Sequence, residues 1–234
     1  MSATWLTVLA WLALAVAGLC AAVVLVDIYG AGRRQPMTIM EVVWPVTALY
    51  LGPVALWVYV RYGRGRRPTA GARHDADGGD EPTRDRPGWV PVFTGVAHCG
   101  GGCTLGDIVA ETAVFALGIE VFASAFAAEL IGDYVLALAL GIVFQYFAIA
   151  PMRGLGLRDG LVAAAKADVL SLTAFEVGLF GWMAITRFVL FADAPLRPDS
   201  AAYWFLMQLG MALGFVTAWP MNVLLIRRGV KEAM

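Results

Sequence analysis

The chain has 234 residues, of which 60% are hydrophobic and 15% charged, with a formal net charge of −1 and a mean hydropathy of +0.72. A soluble domain is roughly 45–50% apolar and about 25% charged, so a soluble fold of this length cannot hide so much apolar surface. The composition excludes a disordered chain, a collagen-like chain and a disulfide-stapled secreted module, and no basic excess points to nucleic acid.

The fold class expected is all-α: a polytopic bundle of membrane helices in a lipid bilayer. A span needs about 20 mostly apolar residues. Six segments qualify, at 4–26, 38–60, 104–126, 130–149, 161–191 and 201–226. The first lacks the basic n-region of a signal peptide and is read as a retained span.

Orientation follows the Arg and Lys content of short loops. Arg61, Arg64, Arg66, Arg67, Arg73, Arg84 and Arg86 follow the second span, Arg153 and Arg158 the fourth, and Arg227, Arg228 and Lys231 the sixth. With six spans these share one side, so both termini are expected in the cytoplasm of a bacterial plasma membrane. Arg33 and Arg34 fall on the wrong side of that scheme. The chain then divides into two N-terminal spans (1–60), a flexible cytoplasmic linker (61–97) and a four-span core (98–234). The linker is rich in Gly, Pro, Arg and Asp, lacks apolar periodicity, and holds His74.

The densest motif is His98-Cys99-Gly100-Gly101-Gly102-Cys103-Thr104-Leu105-Gly106-Asp107, expected at the cytoplasmic mouth of the third span. It holds two of the three cysteines and one of the two histidines. Thiolate and imidazole are ligands for soft and borderline ions, and the glycines would let the backbone turn tightly. His98, Cys99 and Cys103 are therefore expected metal ligands, for Cu(I) first and zinc second. The competing reading is a glycine-rich re-entrant turn with two small buried thiols. Cys20, alone in the first span, reads as a packing residue.

Ionisable groups at membrane depth are costly and mark function. Asp107, Glu111 and Glu120 lie in the third span, and Lys166, Asp168 and Glu176 in the fifth. Asp107 and Glu111 are four apart and share a helix face. Asp107, Glu111, Asp168 and Glu176 are expected to line an ion or proton path, with Lys166 pairing to Asp107 or Glu111. The alternative is interhelical hydrogen bonding that fixes packing. Met37, Met40, Met207 and Met211 are expected outer soft-metal ligands, although methionine is also ordinary core filler.

The string from His98 to Asp107 resembles the hallmark of a bacterial integral-membrane family of unknown function, some of whose members are grouped with copper oxidases. The similarity runs from about Phe93 to the C-terminus. It takes in Gln145-Tyr146-Phe147, Pro151-Met152-Arg153, Lys166-Ala167-Asp168 and Trp219-Pro220-Met221-Asn222. It implies a helical membrane fold and an association with copper, and assigns no catalytic residue.

The function expected is a membrane transporter or handler of a soft metal ion, the cuprous ion first. Two alternatives stand beside it. One is a thiol-disulfide oxidoreductase using Cys99 and Cys103. The other is a non-catalytic subunit or assembly factor for a copper enzyme, or a homo-oligomer. Phosphate-binding, hydrolase and dinucleotide motifs are not found, so no nucleotide is expected. Paired axial histidines for haem are lacking.

Overall fold

In hydrocarbon the backbone has only itself to hydrogen-bond to, and long apolar runs answer with helices. A computed structural model describes residues 4–65 and 87–231; the linker arginines from Arg66 to Arg86 and His74 lie outside the described residues. Helix α1 (Thr4–Leu25) ends in one π-helical turn, Val26–Gly30. Helices α2 (Met40–Leu51) and α3 (Pro53–Val58) follow, the latter continued by a π-helical turn to Gly63. Then come α4 (Trp89–Leu117), α5 (Ala125–Arg153), α6 (Leu157–Ile185), with a π-helical turn to Leu190, and α7 (Ala201–Arg227). The protein is an all-α helical bundle. Thr4–Gly30, Ala125–Ile149, Leu157–Leu190 and Ala201–Arg227 are long and apolar enough to cross a membrane.

The second predicted span is where the structure departs most from expectation. A continuous helix would hold Trp44 and Tyr59 about 22 Å apart along its axis. Their ring centroids are 5.5 Å apart. Gly63 lies under the Trp44 indole, and Gly65 lies against the carbonyls of Arg33 and Arg34. The chain therefore doubles back, and α2 and α3 form a helical hairpin rather than one crossing. Gly52, at φ 53° and ψ −126°, makes the reversal, in a region closed to most side chains. Pro53 starts α3 at a position where its missing N–H costs nothing. At the tip, the Gln208 Nε2 of α7 donates to the Leu49 carbonyl at 2.7 Å.

Two expectations are corrected by this hairpin. Among the described residues the long helices are α1, α4, α5, α6 and α7, and the segment 38–60 does not form a further crossing. Leu14 and Ala17 of α1 share a cavity with Trp204, Met207 and Met211 of α7. At the other end Asp27 accepts from Tyr59, which contacts Trp44, then Phe93, then Phe215. Helices α1 and α7 thus run parallel, and Thr4 and Lys231 lie at opposite ends.

The hairpin also gathers the arginines. Arg64 pairs with Asp27, which Arg33 approaches at 3.5 Å. Arg34 holds Glu41 with two bonds of 2.6 and 2.8 Å. The Arg33–Arg34 pair that conflicted with six spans thus joins the Arg61–Arg64 end.

Helix α4 starts at Trp89, ahead of the linker boundary drawn at 97. Trp89 stacks on Trp57, with centroids 6.2 Å apart, and meets Tyr62 edge-on. The third predicted span (104–126) is thus displaced: α4 ends at Gly118, in a left-handed cap at φ 61°.

Candidate functional site

The His98–Asp107 string lies in the body of α4, neither at its start nor in a turn. Glycine is about 1 kcal/mol worse than alanine in a helix, so tertiary contact must hold this segment. A Cβ on Gly102 would come within 2.9 Å of the Gly141 Cα, and one on Gly106 within 2.7 Å of the Ala137 Cα. Gly102 and Gly106 form the small-xxx-small pattern that lets two membrane helices touch backbone to backbone. Gly102 and Gly106 serve the approach of α5, Gly100 makes room for Tyr50 and Phe175, and the expected metal-wrapping turn is replaced by helix.

That approach lines up two polar ridges. On α4, Gly95, Cys99, Cys103, Asp107 and Glu111 recur every four residues, on one slowly winding ridge. From Gly95 to Glu111 the rise is about 24 Å, against a hydrocarbon thickness of about 30 Å. On α5, Glu129, Asp133, Ala137, Gly141 and Gln145 keep the same spacing. Helix α6 adds Asp168, Ser171 and Glu176, and α7 adds Tyr203 and Asn222.

The neighbours can be followed from one end to the other. Cys99 faces Asp168, whose carboxylate also lies against Gly141. Cys103 faces Cys99 and Glu176. Asp107 has Glu176, Asp133 and Glu111 around it. Glu111 faces Asp133 and the Tyr203 hydroxyl. Asp107, Asp168, His98 and Gln145 are 0% exposed, and Glu111, Asp133 and Glu176 no more than 2%. Both carboxylate oxygens of Asp107, Asp168 and Glu176 lack a hydrogen-bond partner among the described residues. Buried polar atoms are nearly always bonded to protein or water. This file of orphaned acids is therefore the feature of the molecule most in want of a ligand.

The file ends at a cavity of about 590 Å³ lined by Glu120, Glu129, Thr186, Arg187, Arg197 and Tyr203. Its other end closes on the chain's own tail. Lys231 is buried, and its Nζ donates to the Gly95 carbonyl at 2.9 Å and to Asn222 Oδ1 at 2.8 Å. Asn222 Nδ2 in turn donates to Ser171 Oγ at 2.7 Å.

Several expected site residues fall elsewhere. Lys166 is exposed beside Asp159 and Gly229 and pairs with neither Asp107 nor Glu111. The buried lysine is Lys231, whose position in the sequence marks only topology. His98 turns its ring to Phe144 of α5, with centroids 6.3 Å apart. Among the described residues no three His, Cys, Asp or Glu side chains converge as a metal site, so His98, Cys99 and Cys103 are not brought together as a triad. Cys99 and Cys103 are free thiols. Helix Cβ atoms four residues apart lie about 5–6 Å apart, beyond the 3.5–4.5 Å of a disulfide, so bridging them requires unwinding α4.

Met37 and Met207 line separate cavities. Met207 and Met211 border an apolar cavity with Leu14, Leu49 and Trp204. Met37 and Met40 sit at the start of the hairpin near Arg34 and Glu41, with Met37 beside Phe147.

Asp133 and Glu129 were missed from sequence, although Asp133 lies within the fourth predicted span. The signal was a second acid pair four apart, matching Asp107 and Glu111. Glu120, on the loop after α4, is exposed and borders the terminal cavity.

Fold and site together define a helical membrane bundle with an acidic file through its centre. Residues 88–231 match the model of a family described as a domain of unknown function, DUF4396. The chain belongs to that family. The match starts one residue before α4 and ends on Lys231, so it takes in the whole file and leaves α1 and the hairpin outside. No curated protein and no solved structure matches the chain.

Proposed function

We propose that this protein is a membrane transporter that moves a cation, the proton first, along the file from the Glu129 cavity to Asp168. One observation carries the reading. Asp107, Glu111, Asp133, Asp168 and Glu176 are buried on three helices, and the salt bridges among the described residues involve only Asp27 and Glu41. Carboxylates buried without a partnered cation must share protons, hydration or a passing cation. Successive positions on α4 are about 6 Å apart along the axis, a step that side-chain rotation and one water can bridge. Cys99, Cys103 and Tyr203 fill the intervals with groups that both donate and accept.

The arginine-rich end, with Arg33, Arg34, Arg61, Arg64, Arg158 and Arg227, faces the cytoplasm of a bacterial plasma membrane. The N-terminus is then outside, the α2–α3 hairpin re-enters from the cytoplasm, and the Glu129 cavity opens outward.

The test is flux. In proteoliposomes with an internal pH dye and a potassium-driven potential, the wild type should acidify the lumen well above empty vesicles. Glu111→Gln and Asp168→Asn should each cut the rate at least tenfold. Wild-type flux equal to that of empty vesicles overturns the proposal.

A second reading keeps a soft metal as cargo. Cys99 and Cys103 share one face of α4, each toward a carboxylate that could take its proton, and paired thiolates favour Cu(I). Copper stoichiometry in the Cys99→Ser/Cys103→Ser variant decides it: an unchanged value removes the soft-metal cargo.

A further inference from the structure

The inner end of the file holds a cation where the sequence suggested only a loop charge. Gly229, at φ 66°, reverses the chain after α7. The amides of Val230 and Lys231 then both return to the Leu225 carbonyl, at 3.0 and 3.3 Å. This folds the Lys231 side chain back into the bundle until it is 2% exposed. Burying an ammonium costs several kcal/mol unless it is fully partnered, so its surroundings must be built for it.

They are. The Gly95 carbonyl is on the ridge one step before Cys99, and it accepts from Nζ at 2.9 Å. Asn222 Oδ1 accepts at 2.8 Å. The amide is held in that orientation by its own Nδ2, which donates to Ser171 Oγ at 2.7 Å and to the Ala218 carbonyl at 2.9 Å. The Asp168 carboxylate and His98 imidazole lie within electrostatic reach of the ammonium. Helices α4 and α7 thus supply two neutral oxygens, and α6 orients one of them through Ser171 and places an acid beyond. Neutral oxygen acceptors suit a hard cation, and both acceptors of Nζ among the described residues are oxygens.

We propose that the inner end of the file is a binding site for a hard monovalent cation of the ammonium class, and that Lys231 is its tethered occupant. In place, the lysine closes this end to other cations. Withdrawal of the 229–231 turn opens it. This rests on the cation-path reading and deepens it by naming the class of ion and the element that gates it.

The two lysines of the chain, Lys166 and Lys231, provide an internal control. In detergent-solubilised wild-type protein, acetylation by an N-hydroxysuccinimide ester should modify exposed Lys166 at least tenfold faster than Lys231, as read by peptide mass spectrometry. Asn222→Leu should bring Lys231 up to the rate of Lys166. The companion measurement is thermal unfolding of Lys231→Ala. Ammonium or methylammonium chloride should raise its Tm, choline chloride at equal ionic strength should not, and the wild type should respond to none of them. Equal acetylation of both lysines in the folded wild type overturns the site. So does a Lys231 that stays protected in Asn222→Leu, or a Lys231→Ala Tm that responds alike to ammonium and choline. If Lys231→Ala does not fold, the acetylation pair decides alone. Neither readout involves transport, so a failed flux assay would remove the path and leave the site standing.

Discussion

Gly102 of α4 lies directly against Gly141 of α5, and the Asp168 carboxylate of α6 lies on the other side of that same Gly141. One glycine therefore serves two purposes. It brings two helix backbones together, and it gives an acid room at the centre of the bundle. The small-residue contact and the acidic file are parts of one arrangement, and moving either moves the other.

A bulky residue at this contact should be costly. Gly102→Leu must push α5 away, and overpacking of this kind costs about 1–3 kcal/mol. The expected drop in Tm is about 3–10 °C. Gly18→Leu, where an added side chain meets nothing within 4 Å, should leave Tm unchanged. Thermal unfolding of both variants in the same detergent checks the contrast.

The hairpin fixes where the ends of the chain lie. A tag ahead of Thr4 should react with a membrane-impermeant reagent on intact cells, and a tag after Met234 only after lysis. A cysteine placed at Arg33 should behave like the C-terminal tag. Labelling of Arg33→Cys from outside while the C-terminal tag stays protected would restore a six-span arrangement and remove the hairpin topology.

Gln208 holds the hairpin tip from α7. Its bond to the Leu49 carbonyl satisfies an acceptor that the break at Gly52 exposes. Gln208→Leu leaves that carbonyl without a partner, at a cost of about 1–3 kcal/mol. Faster proteolysis within residues 40–60 of the purified variant, relative to wild type, is the expected readout.

Glu111 and Asp133 face each other from different helices and should act as a unit. Glu111→Gln and Asp133→Asn should each lower proton flux, and the double variant should be no slower than the worse single. A double variant that multiplies the two losses would mean that the acids work independently.

Lys166 offers a contrast with Lys231. It sits at the surface beside Asp159, so Lys166→Ala should change the unfolding free energy by less than about 0.5 kcal/mol. Calorimetry of the two lysine variants side by side would measure the difference.

The long apolar runs made α1, α5, α6 and α7 readable from composition, because hydrocarbon leaves a segment of that length no alternative to a helix. The acids Asp107, Glu111, Asp168 and Glu176 were readable for the same reason, since a charge within such a run is too costly to be incidental. The second span misled because hydropathy measures the length of an apolar segment and is blind to its direction. Gly52-Pro53 was the visible mark of reversal, and Arg33–Arg34 its electrostatic symptom. The glycine run misled in the opposite sense. Three glycines suggest a turn in isolation, but Gly102 lies against Gly141 and Gly106 against Ala137, while Gly100 makes room for Tyr50 and Phe175. Lys231 was illegible as a site because nothing local signals that a tail will fold back on Gly95, a partner 136 positions away.

Helix α4 has a consequence for how the protein is made. Its glycines and acids leave it too polar to partition into lipid alone, unlike α5, which emerges just after it. Membrane insertion should therefore stall on α4 until α5 arrives, and the pair should enter as one unit with Gly102 already closed on Gly141. A chain truncated after residue 118 would still be held in the membrane by α1, but its Cys99 and Cys103 should react with a water-soluble thiol reagent, whereas in one truncated after residue 153 both thiols should be shielded.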